Sequence, residues 1–232
     1  MTRIKGVAFD LEGTVVDVEA AHHNAHIAAA AEMGVEVTID TAFKLLPHFI
    51  GGPDEKVAQD IWALSGKQVS PEEILVRDKF YYEQLLATME IKPRPGFMEF
   101  FHAVRSLGPQ TAIGSLTPRN QAEVLLGRSS IALNLSAGMI VLAEDVRNHK
   151  PAPDVFLETA RRMGIDPKTQ LVFEDSPRGV QAAIAAGSRA IGMPVYNRLE
   201  ATVPLLQAGA CRLFLDWREI NVGALLANLN AA

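Results

Sequence analysis

Cysteine is nearly missing from this chain. The lone thiol, Cys211, has no intrachain partner, which excludes a disulfide-stapled scaffold and fits a reducing compartment. Also missing is any run of the ~20 apolar residues that a membrane-spanning helix needs. Near the start, only Val7 to Phe9 is apolar, too short a stretch for a secretory leader. There is no excess of positive charge: at −5, the net charge makes nucleic acid polymers and anionic membranes poor partners. No internal repeat or low-complexity tract occurs, nor do the glycine patterns of P-loop and dinucleotide sites. These absences lead us to expect a cytoplasmic protein, a monomer or a homodimer. Cys211 opens the run Cys211 to Leu215 and reads as a buried structural thiol.

What is present is a chain of 232 residues, nearly half of them hydrophobic, enough for one domain with a modest insertion. Short apolar runs at Ile4 to Phe9, Thr111 to Gly114, Met139 to Leu142, Gln170 to Phe173, Arg189 to Gly192 and Arg212 to Leu215 read as strands. Amphipathic stretches such as Pro153 to Met163 and Gly179 to Ala186 alternate with the later ones. That alternation predicts an α/β fold, a doubly wound, Rossmann-like parallel sheet covered on both faces. Ser70-Pro71-Glu72-Glu73 is a capping box with proline at the first helical position.

Residues 18–91 break the alternation, with helical patterning and no strong strand. The prediction is a helical cap domain, 18–91, inserted into a core made of 1–17 and 92–232. An insertion after the first strand would sit over the carboxyl edge of the sheet, where open α/β folds bind ligands.

The first strand runs into Asp10-Leu11-Glu12-Gly13-Thr14. Two carboxylates two residues apart at a strand end suit a nucleophile and an acid/base. An acidic strand-to-helix loop is the plain alternative for that stretch taken alone. Three other segments add to it: Ser115 after Thr111 to Gly114, Lys150 before the Pro153 helix, and Glu174-Asp175 after Gln170 to Phe173. Carboxylates, hydroxyl and ammonium would converge on one crevice. Several carboxylates together call for a hard cation, and Mg²⁺ takes oxygen ligands.

In order and spacing, Asp10-x-Glu12-Gly-Thr, Ser115, Lys150-Pro-x-Pro and Glu174-Asp175-Ser-Pro-x-Gly resemble the four motifs of the haloacid dehalogenase superfamily. The stretch from Glu174 to Gly187 is similar to the subgroup that holds β-phosphoglucomutase and phosphoglycolate-type phosphatases. The resemblance implies a Mg²⁺-dependent phosphatase of a small phosphorylated metabolite. Asp10 would be the nucleophile that carries an aspartyl-phosphate, and Glu12 the acid/base. Ser115 and Lys150 would hold the phosphoryl oxygens. Mg²⁺ would lie between Asp10, the Glu12 carbonyl, Asp175 and Glu174. Two alternatives remain on this fold: a sugar phosphomutase of the β-phosphoglucomutase type, and a catalytically weak binding protein. The mutases carry an arginine shortly after a cap glycine, where this chain has Pro53, Asp54 and Glu55. Most relatives have aspartate where this chain has Glu12.

Weaker signals lie in the insertion. His22 and His26 are spaced i, i+4, as in some zinc sites, but no third ligand is evident. His22 could line a pocket or simply pack. Residues 50–55 read as a loop, and Phe80-Tyr81-Tyr82 as core of the helical block. Lys56, Arg77, Lys79, Lys92 and Arg94 read as solvated charges. Arg119 and Arg178 fall in loops near the expected crevice.

Overall fold

The computed structural model describes residues 3–66 and 69–231. In chain order the strands are β1 (Gly6–Phe9), β2 (Gln110–Gly114), β3 (Ile140–Val141), β4 (Gln170–Glu174), β5 (Arg189–Gly192) and β6 (Arg212–Leu213). The α-helices are α1 (Glu19–Glu32), α2 (Ile39–Leu45), α3 (Asp54–Leu64), α4 (Pro71–Thr88), α5 (Phe97–Ser106), α6 (Arg119–Arg128), α7 (Asp154–Met163), α8 (Pro177–Ala185), α9 (Leu199–Gln207) and α10 (Val222–Ala231). The chain divides into two compact units. One holds Met1–Asp17 and Ile91–Ala232, the other Val18–Glu90.

The first unit is built on a six-stranded sheet in the order β3-β2-β1-β4-β5-β6, parallel throughout. This is the predicted α/β class. β1 lies in the middle, and all four of its residues are buried, as a strand covered on both faces requires. Alternate residues serve the two faces. On one face Phe9 stacks on Phe173, with ring centroids 5.6 Å apart. Phe97, Phe100 and Trp217 close around that pair at 4.8–5.8 Å. On the other face the register puts Ala8 beside Ala112 and Val172, and Val172 beside Ala190. These short side chains pack with Val155 and Phe156 of α7 and Val180 and Ala183 of α8. The chain order reverses on either side of β1, which makes its carboxyl end the switch point where such folds bind ligands.

The outer strands are shorter than their apolar runs. Edge strands pair on one side only, and Met139 is taken up in a single 3₁₀ turn before β3. Beyond β6 one more ladder bond forms, from the Phe214 N–H to the Gly192 carbonyl at 3.0 Å.

The second unit packs α1 against α4 and α3 against α4. Ala21, Ala25 and Ala29 give α1 a buried face of small side chains. Its core gathers Ala29, Leu46, Phe49, Val57, Ile61 and Ile74. The capping box at Ser70 forms: Ser70 Oγ accepts from the Glu73 N–H, and Glu73 Oε2 from the Ser70 N–H at 2.9 Å. Of Phe80-Tyr81-Tyr82 only Tyr82 is buried, and Phe80 stays half exposed. Three consecutive helical residues point in directions about 100° apart, so one core cannot take them all. Among the described residues, no helix is long and apolar enough to cross a membrane.

Candidate active site

The parallel register sets the site. Phe9 is level with Ile113 of β2 and Phe173 of β4. One residue further on β1 and β4 and two further on β2 bring Asp10, Glu174 and Ser115 to one edge. The Asp10 N–H bonds to the Phe173 carbonyl at 3.0 Å, which carries the ladder past β1 and fixes the direction of Asp10.

Lys150 joins the group from the loop before α7. Its Nζ donates to Asp10 Oδ1 at 2.5 Å and to Glu174 Oε1 at 2.6 Å. All three side chains are buried. The lysine loop is held from both sides. Asp154 Oδ1 accepts from the Asn148 N–H at 3.1 Å and from Asn148 Nδ2 at 3.0 Å. The Arg178 guanidinium donates to the Lys150 carbonyl. Arg178 thus acts on the lysine's backbone, whereas Arg119 pairs with Asp145 at 2.7 Å.

Glu174 and Asp175 have different surroundings. Glu174 Oε2 accepts from the Ser176 N–H and hydroxyl, both at 2.9 Å. Ser176 Oγ in turn caps α8 by accepting from the Gly179 N–H at 3.0 Å. A Cβ on Gly179 would lie 1.7 Å from Glu174 Oε1, so the carboxylate occupies room that only glycine leaves. Asp175 Oδ1 accepts from the Thr14 hydroxyl at 2.9 Å. Gly13, at φ +74°, would place a Cβ 2.3 Å from Asp175 Oδ2. The two acidic motifs therefore interlock through their glycines.

The loop that carries Glu12 is braced by residues distant in sequence. Arg94 is buried and donates to the carbonyls of Gly13 and Met193 at 2.7 Å, Leu215 at 2.8 Å and Pro194 at 3.3 Å. Trp217 Nε1 donates to the Thr14 carbonyl at 3.1 Å. The expectation of a solvated charge at Arg94 is thereby corrected: its guanidinium satisfies carbonyls where the loop meets the ends of β5 and β6. The Glu12 carboxylate turns to Thr117, whose Oγ1 donates to Glu12 Oε1 at 2.5 Å. Thr117 also bonds to Ser115 Oγ at 2.9 Å.

Burial pushes the Asp10 carboxyl up to about 7; Lys150 pulls it down, and Glu174 and Glu12 push it further up. Burial opposes the Lys150 charge, but Asp10 and Glu174 outweigh it and hold the ammonium protonated. One lysine faces two buried carboxylates, and the raised Asp10 pKa reflects burial first and then how closely they are crowded. Ligand oxygens of Asp10, Glu174 and Asp175 lie within 4.8 Å of one another. This all-oxygen donor set fits a hard divalent cation. The Glu12 carboxylate is not part of that group.

The second unit holds a different polar cluster. His22 stacks on Tyr82 with centroids 3.8 Å apart, and its ring is 6.4 Å from that of His26. His26 Nδ1 instead bonds to Asp78 Oδ1 at 2.7 Å, both residues buried. Asp54 completes a group with His26 and Asp78 whose ligand atoms lie within 4.8 Å of one another. Burial raises the Asp54 pKa, with His22 and His26 opposing. Asp54 and Glu55 belong to the first turn of α3, so the expected loop ends at Pro53. A third ligand candidate for His26 thus exists, supplied by helices far apart in sequence. Cys211 is exposed, against the expectation of burial, because it precedes the short edge strand β6.

Residues 4–187 match the family of haloacid dehalogenase-like hydrolases. A fructose-1-phosphate phosphatase of Escherichia coli is 34% identical over 191 residues, 82% of this chain and 96% of that protein. A phosphorylated carbohydrates phosphatase of Thermotoga maritima is 28% identical over 221 residues, 94% of this chain and 98% of that protein. Among solved structures, a haloacid dehalogenase-like protein of unknown function from Agrobacterium tumefaciens superposes with a TM-score of 0.84 at 22% identity, covering 98% of this chain and 99% of that one.

Proposed function

We infer, for a chain that belongs to the haloacid dehalogenase-like hydrolases and is a phosphatase among them, that it hydrolyses a phosphate monoester of a small metabolite, a phosphorylated sugar first among them. The carrying observation is Asp10 at the end of the central strand, with Lys150 Nζ 2.5 Å from its carboxylate. The named activities of the relatives at 34% and 28% identity support the sugar-phosphate class.

In this reading a carboxylate oxygen of Asp10 attacks phosphorus in line. The bond from phosphorus to the alcohol oxygen breaks, and that oxygen takes a proton from Glu12. Ser115 donates a hydrogen bond to a phosphoryl oxygen, and Lys150 offers positive charge to the same group. In the second half Glu12 takes a proton from water. The water oxygen attacks the aspartyl-phosphate, phosphate leaves, and Asp10 and Glu12 return to their starting states. Asp10, Asp175, the Glu12 carbonyl and Glu174 would hold Mg²⁺, which supplies charge to keep the Asp10 carboxylate ionised and to offset the phosphoryl oxygens. Glu174 already accepts from Lys150 and Ser176, so Asp10 and Asp175 are the principal donors.

The test is phosphate release from phosphorylated sugars, polyols, glycolate, glycerol and nucleotides, with Mg²⁺ and with chelator. Turnover of a sugar or polyol phosphate is expected, lost with chelator and reduced at least about 10³-fold in Asp10→Asn. Conversion of a sugar 1-phosphate to its 6-phosphate without phosphate release would replace this reading with a mutase. Full activity in Asp10→Asn would remove the covalent mechanism.

A further inference from the structure

We propose that Thr117 and Gln121 are positioning residues that make a glutamate workable at position 12. The proposal rests on the acid/base role given to Glu12 above. A glutamate reaches one methylene further than an aspartate and has one more freely rotating bond. Left unheld, its carboxylate would sample positions about an ångström apart, a displacement that can cost ~10²-fold in rate.

The surroundings of Glu12 restrict that freedom at both ends. At the backbone, the Gly13 N–H bonds to the Val16 carbonyl at 2.9 Å, and Arg94 grips the Gly13 carbonyl at 2.7 Å. At the carboxylate, Thr117 Oγ1 donates to Oε1 at 2.5 Å. Gln121 Nε2 lies 3.3 Å from Oε2 and 3.4 Å from Oε1. Thr117 is buried and shares a hydrogen bond with Ser115 Oγ at 2.9 Å. One threonine hydroxyl thus touches both the acid/base carboxylate and the hydroxyl assigned to the phosphoryl group. Gln121, in the first turn of α6, approaches the same carboxylate. Thr117 and Ser115 are two residues apart in the short segment after β2, and their hydroxyls bond to each other at 2.9 Å. The distance between the phosphoryl-binding hydroxyl and the acid/base carboxylate is therefore set within one hydrogen-bonded row. An aspartate at position 12, one methylene shorter, would fall short of Thr117 from the same backbone.

This carries a signature that a merely structural role would not give: the effect of Thr117 depends on which acid stands at position 12. Thr117→Val keeps the shape and removes the hydroxyl. We expect it to lower kcat about 10- to 100-fold with KM changed less than about twofold. Thr117→Ser, which restores the hydroxyl, should recover most of that loss. Gln121→Leu, at the longer distances, should cost only a few-fold. In a Glu12→Asp background, Thr117→Val should change kcat less than about twofold. Equal losses from Thr117→Val in both backgrounds, failure of serine to rescue, or a change confined to KM would each overturn the proposal. A readout independent of turnover separates this from failure of the functional reading. Crystal structures should show the Glu12 carboxylate displaced in Thr117→Val and in place in Thr117→Ser. An unmoved carboxylate in Thr117→Val overturns the positioning role, whereas a wild type silent on every phosphate ester overturns the phosphatase reading.

Discussion

In the sheet unit Asp10 and Glu174 share the ammonium of Lys150; in the helical unit Asp78 shares a hydrogen with His26, and Asp54 lies beside them. Both clusters bury carboxylates, yet the means of support differ. The first is held by backbone: strand ends, the cap of α8, and space left by Gly13 and Gly179. Its cation, a lysine, is held protonated by the two carboxylates it faces. The second is held by side chains on three helices, with the Phe49 ring 5.9 Å from that of its histidine, His26, and an imidazole is charged only when protonated. A cluster fixed by backbone gathers oxygen donors that a cation can join, although burial pushes its Asp10 carboxyl up to about 7. One resting on side chains of three helices depends on their packing for its geometry.

Removing the lysine is the sharpest way to break this comparison. Lys150→Met leaves Asp10 and Glu174 buried without their cation, and breaking a buried pair costs about 3–5 kcal/mol. Denaturant unfolding of metal-free protein should show that loss. Mg²⁺ should return part of the stability without returning turnover, since the charge offered to the phosphoryl group is still gone. If stability were unchanged, the lysine would not be what holds the two acids together. A smaller effect is expected from Gly179→Ala. The added Cβ, 1.7 Å from Glu174 Oε1, must drive the carboxylate from its place. Overpacking of this kind costs about 1–3 kcal/mol, and the same thermal or denaturant unfolding measures it. A loss below about 0.5 kcal/mol would mean that Glu174 has room elsewhere.

The same contrast accounts for what could be read in the chain before folding. Asp10, Ser115, Lys150 and Glu174-Asp175 were legible because each follows a strand or precedes a proline-opened helix, and a parallel register does the rest. Thr117 was within reach too, since it lies two residues past Ser115 in the same loop that leaves the end of β2. Arg94 was not. Its partners are carbonyls at residues 13, 193, 194 and 215, and no local pattern announces a carbonyl left over by folding. The meeting of Asp54 and Asp78 with His26 has no local signal for a related reason. They meet His26 only through the packing of α1, α3 and α4, whereas the visible i, i+4 pair His22 and His26 parts, His22 to Tyr82 and His26 to Asp78. Cys211 and the overlong edge strands failed at the rim of the sheet, where an apolar run no longer implies two covered faces.

The smallest effect tests the helical cluster. Burial raises the Asp54 pKa above its ordinary 3.8, so folding favours the protonated carboxyl. The sign follows from linkage. The contribution of Asp54 to stability is fully present below about 3.8, the value it has when unfolded, and is lost as pH rises through its higher folded pKa. Above that folded pKa the ionised Asp54 works against the fold, with Asp78 repelling it and His22 and His26 offering partial relief. Asp54→Asn keeps the shape and removes that charge. It should raise the melting temperature by about 2 °C at pH 7.5 and by little or nothing near pH 4, as read by calorimetry. A lower melting temperature at pH 7.5 would mean that the Asp54 charge is used by the fold. If zinc then raised the melting temperature of the wild type but not of Asp54→Asn, the helical cluster would be holding a cation, and the contrast between the two units would reduce to a choice of metal.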